Sequence, residues 1–173
     1  MQNSKVKFKT QKFYLRSLAD TQQLAARIAA KLHSGEVLAL TGPLGSGKTT
    51  FVQYLAKALG VKRSVRSPSF IVLQTFTINS KFKMQNSKVK LKTQKLRDAP
   101  LLLCHIDAYR LKSVAELEAI GLYDYLGRPG VITVIEWAEK IRSVLPTNVW
   151  QFIFNYQKGN RRVEIRSGRA IRE

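Results

Sequence analysis

EVLALTGPLGSGKTT, residues 36–50, decides the fold. Its first six residues form a short apolar run, which suits a buried strand of a parallel sheet. The next eight, Gly42-Pro43-Leu44-Gly45-Ser46-Gly47-Lys48-Thr49, satisfy G-x-x-x-x-G-K-[ST] at every fixed position. Glycines let backbone N–H groups curl around phosphate oxygens without Cβ clashes. Lys48 sets a positive charge on the outer phosphates, and Thr49 offers a hydroxyl to Mg²⁺. A helix over about 47–59, stopped by Gly60, points its N-terminus at the anion. The expected nucleotide contacts are therefore Gly42, Leu44, Gly45, Ser46, Gly47, Lys48, Thr49 and Thr50.

Outward from this motif, strand-like and helix-like segments alternate. An edge strand is expected at 13–16. Ser17 or Asp20 is placed to cap a helix running to about 32, with Leu24, Ala25, Ile28 and Leu32 on one face. Strands are expected at 70–77, 101–107 and 131–136, and a helix at 114–120. A terminal hairpin is expected from 149–156 and 162–166, turning at Lys158-Gly159-Asn160. Such alternation predicts one α/β domain over residues 1–173. Its expected form is a three-layer P-loop NTPase-type domain with a mainly parallel, mixed central sheet and a C-terminal β-hairpin.

Ligands of such sheets lie beyond the carboxyl ends of the strands. Two acids occupy such places. Asp107 ends LLLCHID and Glu136 ends VITVIE. Magnesium keeps several waters and takes one or two protein carboxylates, so one acid would hold the metal and the other orient the attacking water. Spacing does not say which. Lys48, Asp107 and Glu136 are the expected catalytic set, and Thr49, Glu136 and Asp107 the metal set. Each acid has a plainer reading as a strand-end helix cap. His105, two residues before Asp107, reads first as a packing histidine, Cys104 as a small buried hydrophobe, and Arg110 equally as a structural ion-pair residue or as a contact to phosphate or partner. Ser67 and Ser69, flanking Pro68, read either as an ordinary turn or as a loop sensing the terminal phosphate.

Of 173 residues, 30 are Lys or Arg and 11 Asp or Glu, a formal charge of +19. Residues 1–16 carry five bases and no acid, 79–97 seven and none, and 158–173 six against two. These are either solvated segments or an electrostatic footprint for RNA or an acidic partner. Residues 84–96 repeat residues 1–13 with only Phe8 and Phe13 changed, to Leu91 and Leu96. Two copies do not make a solenoid, so 79–98 reads as a basic insert lengthening a hairpin connection. No apolar stretch approaches the roughly 20 residues of a membrane span, the N-terminus lacks a secretory apolar core, and a single cysteine fits a reducing cytoplasm.

Over about residues 14–168, the insert aside, the chain resembles the TsaE (YjeE) family. The resemblance rests on Thr21 with Leu24-Ala25, TGPLGSGKTTFVQYLAKALGV, VRSPSFIVLQTF, HIDAYRL with ELEAIGLYDYL, and VIEWAEKI ahead of Leu145-Pro146. It implies an accessory ATPase, slow alone, that binds ATP with Mg²⁺ and works with the TsaD–TsaB pair, which makes threonylcarbamoyladenosine beside the anticodon of tRNA. It implies that Thr49 and Glu136 serve the metal, Asp107 is a second acid, Lys48 grips phosphate, and Ser67–Ser69 form a switch-like loop. tRNA would be reached through the basic segments or through the complex. Pro43 stands where the family commonly has Asp, Ser69 replaces a usual Thr, and Ala108 a usual Leu or Val.

Two other readings compete. A small P-loop kinase for a metabolite or nucleoside would need an Arg-bearing lid, which Arg161-Arg162 could imitate. A basic RNA-binding module would use ATP only structurally, but no interleaved aromatic stacking motif accompanies the charge.

Overall fold

The computed structural model describes residues 9–65, 72–78, 101–157 and 159–167. The basic insert at 79–98, the N-terminal copy of its repeat up to residue 8, and the loop carrying Ser67 and Ser69 lie outside the described residues. The elements are β1 (Lys9–Leu15), α1 (Leu18–Ala29), β2 (Val37–Thr41), α2 (Lys48–Ala58), β3 (Leu73–Thr77), β4 (Leu102–Asp107), α3 (Val114–Ala119), β5 (Val131–Glu136), β6 (Trp150–Gln157) and β7 (Asn160–Ser167). Short 3₁₀ turns occupy Leu122–Asp124 and Ala138–Val144.

The strands build one seven-stranded sheet in the order β1-β7-β6-β2-β5-β4-β3. Strand β2 pairs in parallel with β5 and β6, and β4 in parallel with β5. Strands β3, β7 and β1 attach antiparallel to β4, β6 and β7. The sheet is thus mixed, with β1, β6, β2, β5 and β4 running one way, and both expected hairpins are present.

Alternation along β2 divides the core. Leu38 and Leu40 pack with Ile28 of α1 and Phe51 and Leu55 of α2. Val37 and Ala39 face the other way, among Ile106, Leu117, Leu122 and Ile141. Helices on both faces give three layers, each burying a sheet surface that would otherwise be wet. Phe51 anchors α2 to the sheet, its ring centroid 5.1 Å from Phe152 and 5.8 Å from Phe154.

Local chemistry explains the ends of α1. The Ser17 hydroxyl accepts from the Asp20 amide at 3.2 Å, and the Asp20 carboxylate accepts from the Ser17 amide at 2.8 Å. Ser17 is therefore the cap and Asp20 its reciprocal partner. Hydrogen bonds from Ser17 hold the Asp20 carboxyl below the usual carboxylate range. The helix stops at Ala29, earlier than expected, although Leu32 still packs in the core.

Strand β1 begins earlier than the expected residue 13. It pairs along its whole length with β7, Lys9 against Ser167 through Leu15 against Arg161. A partner more than 140 residues away extends a strand whose own lysine-rich sequence gives no local signal. Among the described residues no helix is long and apolar enough to cross a membrane.

Candidate functional site

The glycine-rich loop leaves β2 at Gly42, whose φ is 133°. A Cβ there would stand 2.3 Å from the carbonyl oxygen of Phe154 on β6, so only glycine lets the loop lie this close to the sheet. The loop ends at Gly47, left-handed at φ 100°, which caps α2 without any side-chain hydrogen bond. The first amides of α2 are thus left to an outside acceptor, and the helix dipole favours an anion there. In α1 the same amides are served by Ser17.

Lys48 Nζ donates to the carbonyls of Gly42 at 2.7 Å and Pro43 at 2.9 Å. It also stands 3.9 Å from the centre of the Trp137 ring, a cation–π contact. Burial pushes its ammonium below the ordinary lysine value, with Glu136 foremost among the acids that oppose the shift. Ser46 Oγ is buried in the loop with no hydrogen-bond partner among the described residues.

Asp107 and Glu136 end adjacent parallel strands and are direct register partners. Their settings differ. Glu136 is 1% exposed. One of its oxygens accepts from Thr49 Oγ1 at 2.7 Å and the other lies 2.9 Å from His105 Nε2. Asp107 is only half-buried, and its carboxylate accepts from the Tyr109 amide at 3.0 Å. The acid joined directly to the Thr49 hydroxyl is therefore Glu136, across 87 residues of sequence.

A cleft of about 510 Å³ lies over the loop. Leu44, Gly45, Gly47, Lys48, Thr49, Thr50, Asp107 and Glu136 all line it. Gly42 and Ser46 belong to the same loop but do not line the cleft, while Ser67 and Ser69 lie outside the described residues. Cys104 faces the opposite core cluster, where burial pushes its thiol up to about 12. It is the small buried group expected of it.

Sequence reading missed part of the wall. Leu15, Ser17, Leu18 and Thr21 line one side, and Tyr109, Trp137 and Arg161 also contribute. Trp137 is the described non-glycine residue with positive φ, at 58°. Such a conformation costs of order 1–3 kcal/mol and gathers at functional sites. Here it turns the ring back over Lys48 and against Tyr109, 4.9 Å between centroids. Its place directly after the strand-end acid was the available signal. Leu15 carried none, and Arg161 was legible only as an imitation of a kinase lid, because the two meet only through the β1–β7 pairing.

The cradle suits a phosphate: an uncapped helix start, a buried hydroxyl without a partner, and a cation resting on loop carbonyls. A hydroxyl beside a buried carboxylate suits a hard, oxygen-seeking cation such as Mg²⁺. Leu15 and Leu18 give the cleft an apolar side.

The model of the family described as "Threonylcarbamoyl adenosine biosynthesis protein TsaE" matches residues 15–164. The chain belongs to the TsaE family. A TsaE protein of Bacillus subtilis (strain 168), named for tRNA threonylcarbamoyladenosine biosynthesis, is 34% identical over 134 residues, 78% of this chain and 70% of that protein. The TsaE of Aquifex aeolicus (strain VF5), with the same name, is 38% identical over 126 residues, 73% of this chain and 75% of its own. The crystal structure of Bacillus subtilis YdiB matches with a TM-score of 0.67 and 27% identity, covering 94% of this chain and 88% of that one. The matched TsaE span includes every described element of the cleft and omits Lys9 to Tyr14 of β1.

Proposed function

We propose that this chain binds and slowly hydrolyses ATP with Mg²⁺ as an accessory subunit in making tRNA threonylcarbamoyladenosine. The observation that supports the reading is the 2.7 Å bond between the Thr49 hydroxyl and the buried Glu136 carboxylate, a pair suited to a hard cation. On this reading Lys48 leaves the Gly42 and Pro43 carbonyls for the outer phosphates, and the amides opening α2 take further phosphate oxygens. Thr49 and Glu136 hold the cation, and the more open Asp107 orients the attacking water. Bound Mg²⁺ would neutralise charge developing on the phosphate oxygens. Leu15, Leu18 and Thr21 would flank the base.

Partners follow from family membership. TsaD and TsaB are the proposed docking pair. tRNA is proposed to come within reach through them or through the basic strands β1 and β7. A kinase would need a hinged arginine lid. Arg161 does line the cleft, but its backbone is in register with Leu15 on one side and Tyr156 on the other. A residue clamped between two ladders cannot swing as a lid.

The test is ATP turnover by the chain alone and then with TsaD, TsaB and tRNA. Slow turnover that rises with the partners is expected. Turnover indifferent to them but stimulated by a small metabolite would replace this reading with the kinase.

A further inference from the structure

We infer that His105 is the positioning residue of Glu136, a role that rests on the ATPase reading above. His105 lies on β4 opposite Val134 of β5, two residues before the strand end, so Glu136 is its diagonal neighbour on the same face. The imidazole is completely buried. Its Nε2 is 2.9 Å from Glu136 Oε1, while Nδ1 is buried with no hydrogen-bond partner among the described residues.

These two facts select a tautomer. A proton on Nε2 gives the buried carboxylate a donor and leaves only a lone pair bare at Nδ1. A proton on Nδ1 would strand a buried N–H and set a lone pair against a carboxylate oxygen, which is costly on both counts. With Nε2–H on Oε1 and the Thr49 hydroxyl on Oε2, each carboxylate oxygen has one donor. The carboxylate plane is thereby held with Oε2 toward Thr49 and the cleft. A histidine serving only to fill space would be replaceable by an apolar residue of like volume. Here that replacement leaves Oε1 of a buried acid without a donor. Partners that orient metal ligands in this way are typically worth 10–100-fold in metal affinity or activity.

The experiment measures how affinity for a fluorescent ATP analogue depends on Mg²⁺, in the full chain and in His105→Met and His105→Gln. Gln keeps a donor at comparable reach, and Met does not. Expected are unchanged affinities in EDTA, a Mg²⁺ midpoint raised about tenfold or more in His105→Met, and recovery toward wild type in His105→Gln. In a Glu136→Gln background, His105→Met should add no further shift. A folded His105→Met protein with the wild-type midpoint overturns the inference, as does a shift that persists in the Glu136→Gln background. Should His105→Met fail to fold, ¹⁵N histidine NMR of the wild type decides. A ring carrying its proton at Nε2 supports the role, and a ring protonated at Nδ1 alone overturns it. A wild-type chain that binds the analogue with no dependence on Mg²⁺ would instead defeat the ATPase reading, while the NMR result would still stand on its own.

Discussion

Phe154 presses its carbonyl oxygen against the α-carbon of Gly42, leaving 2.3 Å where a Cβ would have to stand. The contact joins the first residue of the cradle to the strand beside β2, so the loop has no slack on that side. Gly42→Ala must push the loop off the sheet. The expected result is a loss of about 1–3 kcal/mol in stability, the range for overpacked sites, with a larger proportional loss of ATP affinity. Denaturant melts and calorimetric titration measure both. Wild-type affinity in a stable variant would mean that the loop tolerates the shift.

Lys48 offers a prediction with a sign. Burial lowers its folded-state pKa below the ordinary 10.5. Between those two values the unfolded chain binds more protons than the folded one, so stability rises with pH across that window. Relative to Lys48→Met, wild-type stability without nucleotide should therefore climb as pH moves up toward 10.5. The same variant should lose ATP binding or hydrolysis at neutral pH, because the cradle loses its cation. Paired melts across alkaline pH test the first part, and normal turnover in the variant would refute the site.

The two strand-end acids should separate kinetically. Asp107→Ala and Glu136→Ala are both expected to lower hydrolysis more than nucleotide binding. Glu136→Ala should also raise the Mg²⁺ requirement, since Glu136 is the acid bonded to Thr49. Full turnover in both variants would remove the two-acid reading.

Sheet pairing brings together basic residues from the two ends of the chain. Thr10 lies opposite Arg166, Lys12 opposite Glu164 and Tyr14 opposite Arg162, on one face of the β1–β7 ladder. Glu164 is engaged by Arg166 at 2.7 Å, which holds its carboxyl below the usual range. If tRNA touches this face, Arg162→Glu should weaken binding and flatten its salt dependence by about one unit of log–log slope. Anisotropy titrations at several salt concentrations measure this. An absence of tRNA binding at low salt would leave these strands as solvated surface.

Much of the fold was legible because its signals are local. The apolar runs at β2, β4 and β5, and the glycine that ends α2, act within a few residues. The β1 boundary was not legible, because Lys9 to Lys12 become strand only by pairing with β7. The end of α1 was read late, since Leu32 keeps the helical apolar spacing after the regular helix has stopped.

The site divides along the same line. The sequence by itself determined the glycine-rich loop between β2 and α2, the proposed phosphate cradle, since G-x-x-x-x-G-K-[ST] works through consecutive backbone amides. It also determined that acids stand at two strand ends. Tertiary structure alone decided which acid meets Thr49, that His105 braces it, and that Trp137 covers Lys48. Those contacts depend on how parallel strands β4 and β5 align and on how close α2 lies to their ends. Alignment across a sheet is set by packing over the whole core, so no short stretch of chain encodes it.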